Sequence, residues 1–128
     1  MNSSTLDLMT PPIKFGPLWN RSVFDPNARV IKRGVRSICR FEDIQRLRLR
    51  EHFNRDEEEQ LLNLHPEVQK RPRDAELWVD MKNSESVCAA TLDRAGLLLE
   101  YASELARWAG VPITTERVAI GNENVRAA

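Results

Sequence analysis

Apolar positions change their spacing along this chain, and the change separates strands from one helix. Between Ala90 and Ile113, in the stretch TLDRAGLLLEYASELARWAGVPI, Ala95, Leu98, Ala102, Leu105 and Ala109 recur at steps of three and four. That spacing lines one face of an α-helix. Thr91 or Asp93 can cap its start by accepting a free backbone N–H. Gly110 can take the left-handed conformation that ends a helix, and Pro112 blocks its resumption.

Upstream the spacing drops to two. Ile44–Phe53 (IQRLRLREHF) sets Leu47 and Leu49 on one side and Arg46, Arg48 and Arg50 on the other, as a half-buried strand does. Ala75–Met81 (AELWVDM) repeats the pattern with Leu77, Val79 and Met81. Lys14–Phe24, Ala28–Lys32, Ser37–Phe41 and Val87–Thr91 also have strand character. Asp25-Pro26-Asn27 makes the first hairpin turn, Gly34 marks a second, and Asn83-Ser84 a third. Asn54–Arg73, with its acidic run Asp56–Glu59, has no regular pattern and reads as a loop or a short helical turn.

Together these elements predict an α+β fold over residues 13–113. It is a bent antiparallel β-sheet or partly open barrel of about six to seven strands, closed by one C-terminal α-helix. Residues 1–12 read as a flexible leader. Residues 114–128 offer no core pattern and read as a tail, or as an edge element around Val118–Ile120.

Meandering strands, the Arg/Leu strand, the ELWVDM strand and a closing helix ending AGVPI follow one another in an order that resembles bacterial pleckstrin-homology-like domains. The resemblance spans Pro17–Ile113 and implies a bent sheet or open barrel capped by the helix. Lipid-binding members of that family carry several basic residues in and beside the first hairpin loop. Here DPNAR contributes only Arg29, with Lys32, Arg33 and Arg36 at the next turn. The resemblance therefore does not bring phosphoinositide binding with it.

A chain of 128 residues supports one domain with a modest core. Its N-terminus, MNSSTLDLMTPPIKFG, lacks the basic and apolar regions of a signal peptide, so a cytoplasmic location is expected. Cys39 and Cys88 lie in apolar runs without a second ligand at metal spacing, and read as reduced, buried thiols. Arginine outnumbers lysine fifteen to four, which fits a GC-rich bacterial coding sequence.

Net charge is zero, yet the charges are segregated. Arg29–Arg50 holds eight basic residues against Glu42 and Asp43, while Glu51–Glu59 holds five acidic residues against Arg55. Arg46, Arg48 and Arg50 could meet phosphates, but their strand interleaves leucine rather than the aromatics that stack on bases. Balance by Glu42, Glu51 and Glu57–Glu59 is the plainer expectation.

His52 and His65 belong to no metal or triad motif, and no GxSxG context surrounds a serine. A ligand-sized pocket holding either histidine beside carboxylates would favour catalysis. Trp19, Trp78 and Trp108 suit either a binding surface or packing at the core edge, and packing is the simpler expectation.

These features predict a small non-enzymatic module acting through protein–protein contact, without cofactor or metal. Regulation, neutralisation of an effector and assembly are all compatible with it. Arg46, Arg48, Arg50, Trp78 and Trp108 are the candidate contact residues, and homodimerisation is compatible with the same edges. The alternative is a domain binding an anionic ligand, either a lipid headgroup of a membrane or nucleic acid.

Overall fold

A computed structural model gives the fold of residues 10–54 and 74–120. Asp25 folds the chain into its first long hairpin: its Oδ1 accepts the N–H groups of Asn27 at 2.9 Å and Ala28 at 3.1 Å. This is how an aspartate stabilises a turn through its own following backbone. The hairpin belongs to a sheet of β1 (Ile13–Phe15), β2 (Ser22–Asp25), β3 (Val30–Arg33) and β4 (Arg36–Arg40), all antiparallel and paired in chain order. Gly34 closes the β3–β4 turn at φ +63°, a conformation that costs glycine little.

A single turn at Phe41–Asp43 leads into the second sheet. It contains β5 (Ile44–Asn54), β6 (Asp74–Met81), β7 (Ser86–Leu92) and β8 (Ile113–Ile120), in the spatial order β7-β6-β5-β8. Between β7 and β8 runs α1 (Ala95–Ala109). The architecture is α+β, with two four-stranded sheets and one α-helix among the described residues, and the sheets do not close into a barrel.

The helix ends as its sequence dictates. Gly110 stands at φ +68°, ψ +37°, and its N–H and that of Val111 both reach the Ala106 carbonyl. The start differs from expectation. Arg94 is the N-cap, with no side-chain hydrogen bond, so neither Thr91 nor Asp93 caps the first turn. Leu98, Ala102 and Leu105 are fully buried, each next to small or apolar neighbours that let the helix lie close to the sheet. Burying a leucine contributes about 2 kcal/mol or more, so these positions anchor the helix.

The core joins all three layers. Phe24 and Ile31 arrive from the first sheet, Phe41 from the turn that follows it, Leu47, Leu49, Leu77 and Val79 from the second sheet, and Leu98 and Leu105 from α1. Phe15 bridges sheet and helix, edge-on to Phe24 at 5.3 Å and stacked on Tyr101 at 5.0 Å. Arg33 Nη2 donates to the Cys88 carbonyl at 3.0 Å and ties β3 to β7.

Three expectations are corrected. Lys14–Phe24 is two short strands around a 3₁₀ turn at Leu18–Asn20, because Gly16 (φ +92°) and Pro17 interrupt extended pairing. Ile113–Ile120 is a full strand rather than a tail. It starts where the Pro112 carbonyl accepts the Leu47 N–H at 2.9 Å and then runs in register from Leu47↔Ile113 to Asn54↔Ile120. That pairing is parallel, so the second sheet is mixed rather than purely antiparallel, and the described strands number eight. The acidic run Asp56–Glu59 and His65 lie outside the described residues.

Candidate functional site

Alternation along β5 puts Leu47 and Leu49 in the core and turns Arg46, Arg48, Arg50 and His52 to the opposite face. Register with β6 sets Asp80, Trp78, Glu76 and Asp74 across from them in that order. Parallel pairing with β8 adds Thr114, Glu116 and Val118 on the other flank. The face is a ladder of alternating charge.

Asp80 is its centre. Its side chain is 11% exposed, and the carboxylate accepts Arg46 Nε at 2.6 Å, Arg48 Nε at 2.8 Å, Arg48 Nη2 at 3.0 Å and Ser86 Oγ at 2.7 Å. The hydrogen bond from Arg48 does most to hold its carboxyl well below the usual carboxylate range; burial opposes this, and Ser86 and Arg46 add to it. The same partnership raises the pKa of Arg48. Arg50 lies 3.6 Å from Glu116 and 3.8 Å from Glu76. The acids that balance the arginines are therefore Asp80, Glu76 and Glu116. Glu42 pairs instead with Arg40 at 2.9 Å, and Glu57–Glu59 lie outside the described residues.

His52 extends the ladder. Its Nδ1 is 2.6 Å from Asp74 Oδ1, and its Nε2 is 3.6 Å from Glu76 Oε1, with the side chain 18% exposed. Trp78, half-buried on this face, donates Nε1–H to Glu76 at 3.1 Å. Beside these groups opens a cleft of about 530 Å³, lined by His52, Asp74, Glu76, Thr91 and Asp93 and walled by Pro17. This is the histidine-and-carboxylate pocket that would favour catalysis. His52 Nδ1 is within hydrogen-bond distance of Asp74, whereas Nε2 lies beyond hydrogen-bond distance of Glu76. Among the described residues, no group of three or more His, Cys, Asp or Glu side chains is placed to hold a metal ion.

The cleft continues towards a smaller one of about 230 Å³, which shares Gly16, Pro17 and Thr91 with it and adds Asn20, Arg33 and Cys88. Above this boundary stands the 3₁₀ turn, and its Leu18 and Trp19 are 81% and 86% exposed. Gly34 faces the Trp19 carbonyl, 4.0 Å from where a Cβ would stand, and Gly34 N–H donates to the Arg21 carbonyl at 2.7 Å. Val35, fully exposed, therefore neighbours the same turn. Trp19 is thus not packed at the core edge, as the sequence led us to expect.

Trp108 lies elsewhere. It is half-buried in the last turn of α1 with its ring stacked on Phe41, on the helix side of the second sheet. Arg29, at φ +57°, covers the other partner of that stack at 5.3 Å from the Phe41 ring and donates to the Trp108 carbonyl. Of the five residues singled out from sequence, Arg46, Arg48, Arg50 and Trp78 share one face and Trp108 does not. Leu18 and Val35 went unnoticed because single apolar residues at turns carry no periodic signal.

No protein-family model, curated protein or solved structure matches this chain. Function has to be argued from these residues.

Proposed function

We propose that this chain is a small non-enzymatic binding module that acts by contact with another protein. The observation that carries the reading is that Leu18, Trp19 and Val35, on two adjoining turns, are each left almost wholly in water. A soluble domain gains nothing in folding from three large apolar groups held outward, and tryptophan with flanking arginine is the composition of interface hot spots. Lys14, Arg21, Lys32, Arg33 and Arg36 lie in the same strands and turns.

The alternative, an anionic-ligand surface on Arg46, Arg48 and Arg50, is weakened by their internal partners. A phosphate would have to compete with Asp80, Glu76 and Glu116 for the same guanidinium groups. The order of strands and helix supports kinship with the bacterial pleckstrin-homology-like domains, with β8 as an addition to that pattern.

The test is retention of the chain by anionic vesicles and by mixed-sequence DNA, beside capture of proteins from a bacterial extract, at low and at physiological salt. Contact through apolar groups predicts capture that persists as salt rises, and no retention by vesicles or DNA. Tight retention by either anionic surface at physiological salt would replace this reading with the alternative.

A further inference from the structure

The exposed turn and the cleft beside it carry opposite charge. From Pro11 to Phe41 the chain holds seven basic residues against one acid, Asp25, and that acid is occupied in the turn at the far end of its hairpin. From Asp74 to Ala109 it holds seven acids against three basic residues. Three of these acids line the larger cleft: Asp74 and Glu76, which face His52 and Arg50 within the ladder, and Asp93, which is exposed. Gly16 and Pro17 form one wall of that cleft and lead directly into Leu18 and Trp19.

A basic, apolar projection therefore stands next to an acidic recess within one molecule. Such a surface is complementary to itself. A two-fold axis between two copies brings each projection to the other's recess, the isologous arrangement that most homodimers use. With a net charge of zero, no long-range repulsion opposes the approach.

We propose that the occupant of this surface is a second copy of the chain. Trp19 of each copy seats against Pro17 and Leu92 in the other's cleft, and Arg21 and Arg36 face Asp93. This inference rests on the reading of the Leu18–Trp19–Val35 face as a contact surface, and it names the partner for it. An aromatic ring buried at such a contact, with charges paired around it, is the arrangement in which one residue dominates affinity.

The experiment is sedimentation equilibrium of the full chain over roughly 1 to 200 μM, for wild type, Trp19→Ala and Asp93→Lys. Both substituted residues are exposed, and circular dichroism verifies that the variants stay folded. Wild type should form a dimer, and each variant should associate at least about 10-fold more weakly. A wild type that stays monomeric overturns the inference, as does a dimer that ignores Trp19→Ala or Asp93→Lys. If wild type is monomeric while a distinct host protein is captured by wild type and lost with Trp19→Ala, the second copy is the wrong occupant and the contact face still stands.

Discussion

Arg48 and Asp80 meet in a fork: Nε reaches Oδ2 at 2.8 Å and Nη2 reaches Oδ1 at 3.0 Å, across the β5–β6 ladder. Planar, two-point pairing of this kind gives both energy and orientation. The carboxylate is shielded and the arginine side chain is only 22% exposed, so the pair is neither freely solvated nor fully desolvated. It fixes the register of two core strands and consumes the charge that would otherwise attract an anion.

Replacing Asp80 with alanine should destabilise the fold by about 2 to 3 kcal/mol, because it leaves Arg48 without its fork and Ser86 without its acceptor. Urea unfolding of wild type and variant measures the difference. A change below about 0.5 kcal/mol would show that the ladder is ornamental.

Acid should act through the same group. The folded-state pKa of Asp80 is depressed, so its contribution is complete above the unfolded value of about 4 and is lost as pH falls below it. The stability of wild type should therefore decline from about pH 4 downwards more steeply than that of Asp80→Asn. Equal slopes for the two proteins would contradict the assignment.

The thiols should resist modification. Burial, with Asp43 adding, pushes the Cys39 thiol up to about 11, and burial with Glu76 adding raises that of Cys88. Both are free in the structure, Cys39 buried and Cys88 only partly buried at the smaller cleft rather than buried as expected. An aromatic disulfide reagent at neutral pH should label neither quickly in the native protein and both at once in denaturant. Rapid native labelling of Cys39 would mean that its strand opens readily.

Removing residues 113–128 should destabilise the fold by about 3 kcal/mol or more, since β5 loses a whole ladder and Phe53 loses the cover of Arg117. Thermal unfolding tests this. A truncated chain with an unchanged midpoint would return Ile113–Ile120 to the status of a tail.

Local chemistry was legible in the sequence, and distant pairing was not. The Asp25 turn, the Gly110 stop and the buried stripe of Leu98, Ala102 and Leu105 each depend on residues within a few positions of one another. The two-residue period of β5 likewise separated Arg46, Arg48 and Arg50 from the leucines. The identity of their acidic partners depends on which strands lie beside β5, and Asp80 and Glu116 are more than thirty residues away. Reversing all three arginines to glutamate would look harmless on a solvated strand, but in the fold it sets carboxylates against Asp80, Glu76 and Glu116 and should be destabilising. Strand β8 was legible only as a possible edge element around Val118–Ile120, because a partly exposed edge strand carries little apolar periodicity.

The proposed contact face is Leu18–Trp19–Val35, while the arginine ladder serves the fold. The most direct measurement is quantitative capture of protein partners, a second copy included, by immobilised wild type, Trp19→Ala and the double variant Arg46→Gln/Arg50→Gln. These two arginines are the more exposed members of the ladder, and the substitutions leave the Arg48–Asp80 fork in place. Capture should fall at least about 10-fold for Trp19→Ala and stay near the wild-type level for the double variant. The reverse pattern, with capture lost on removing the arginines and kept without Trp19, would contradict the account.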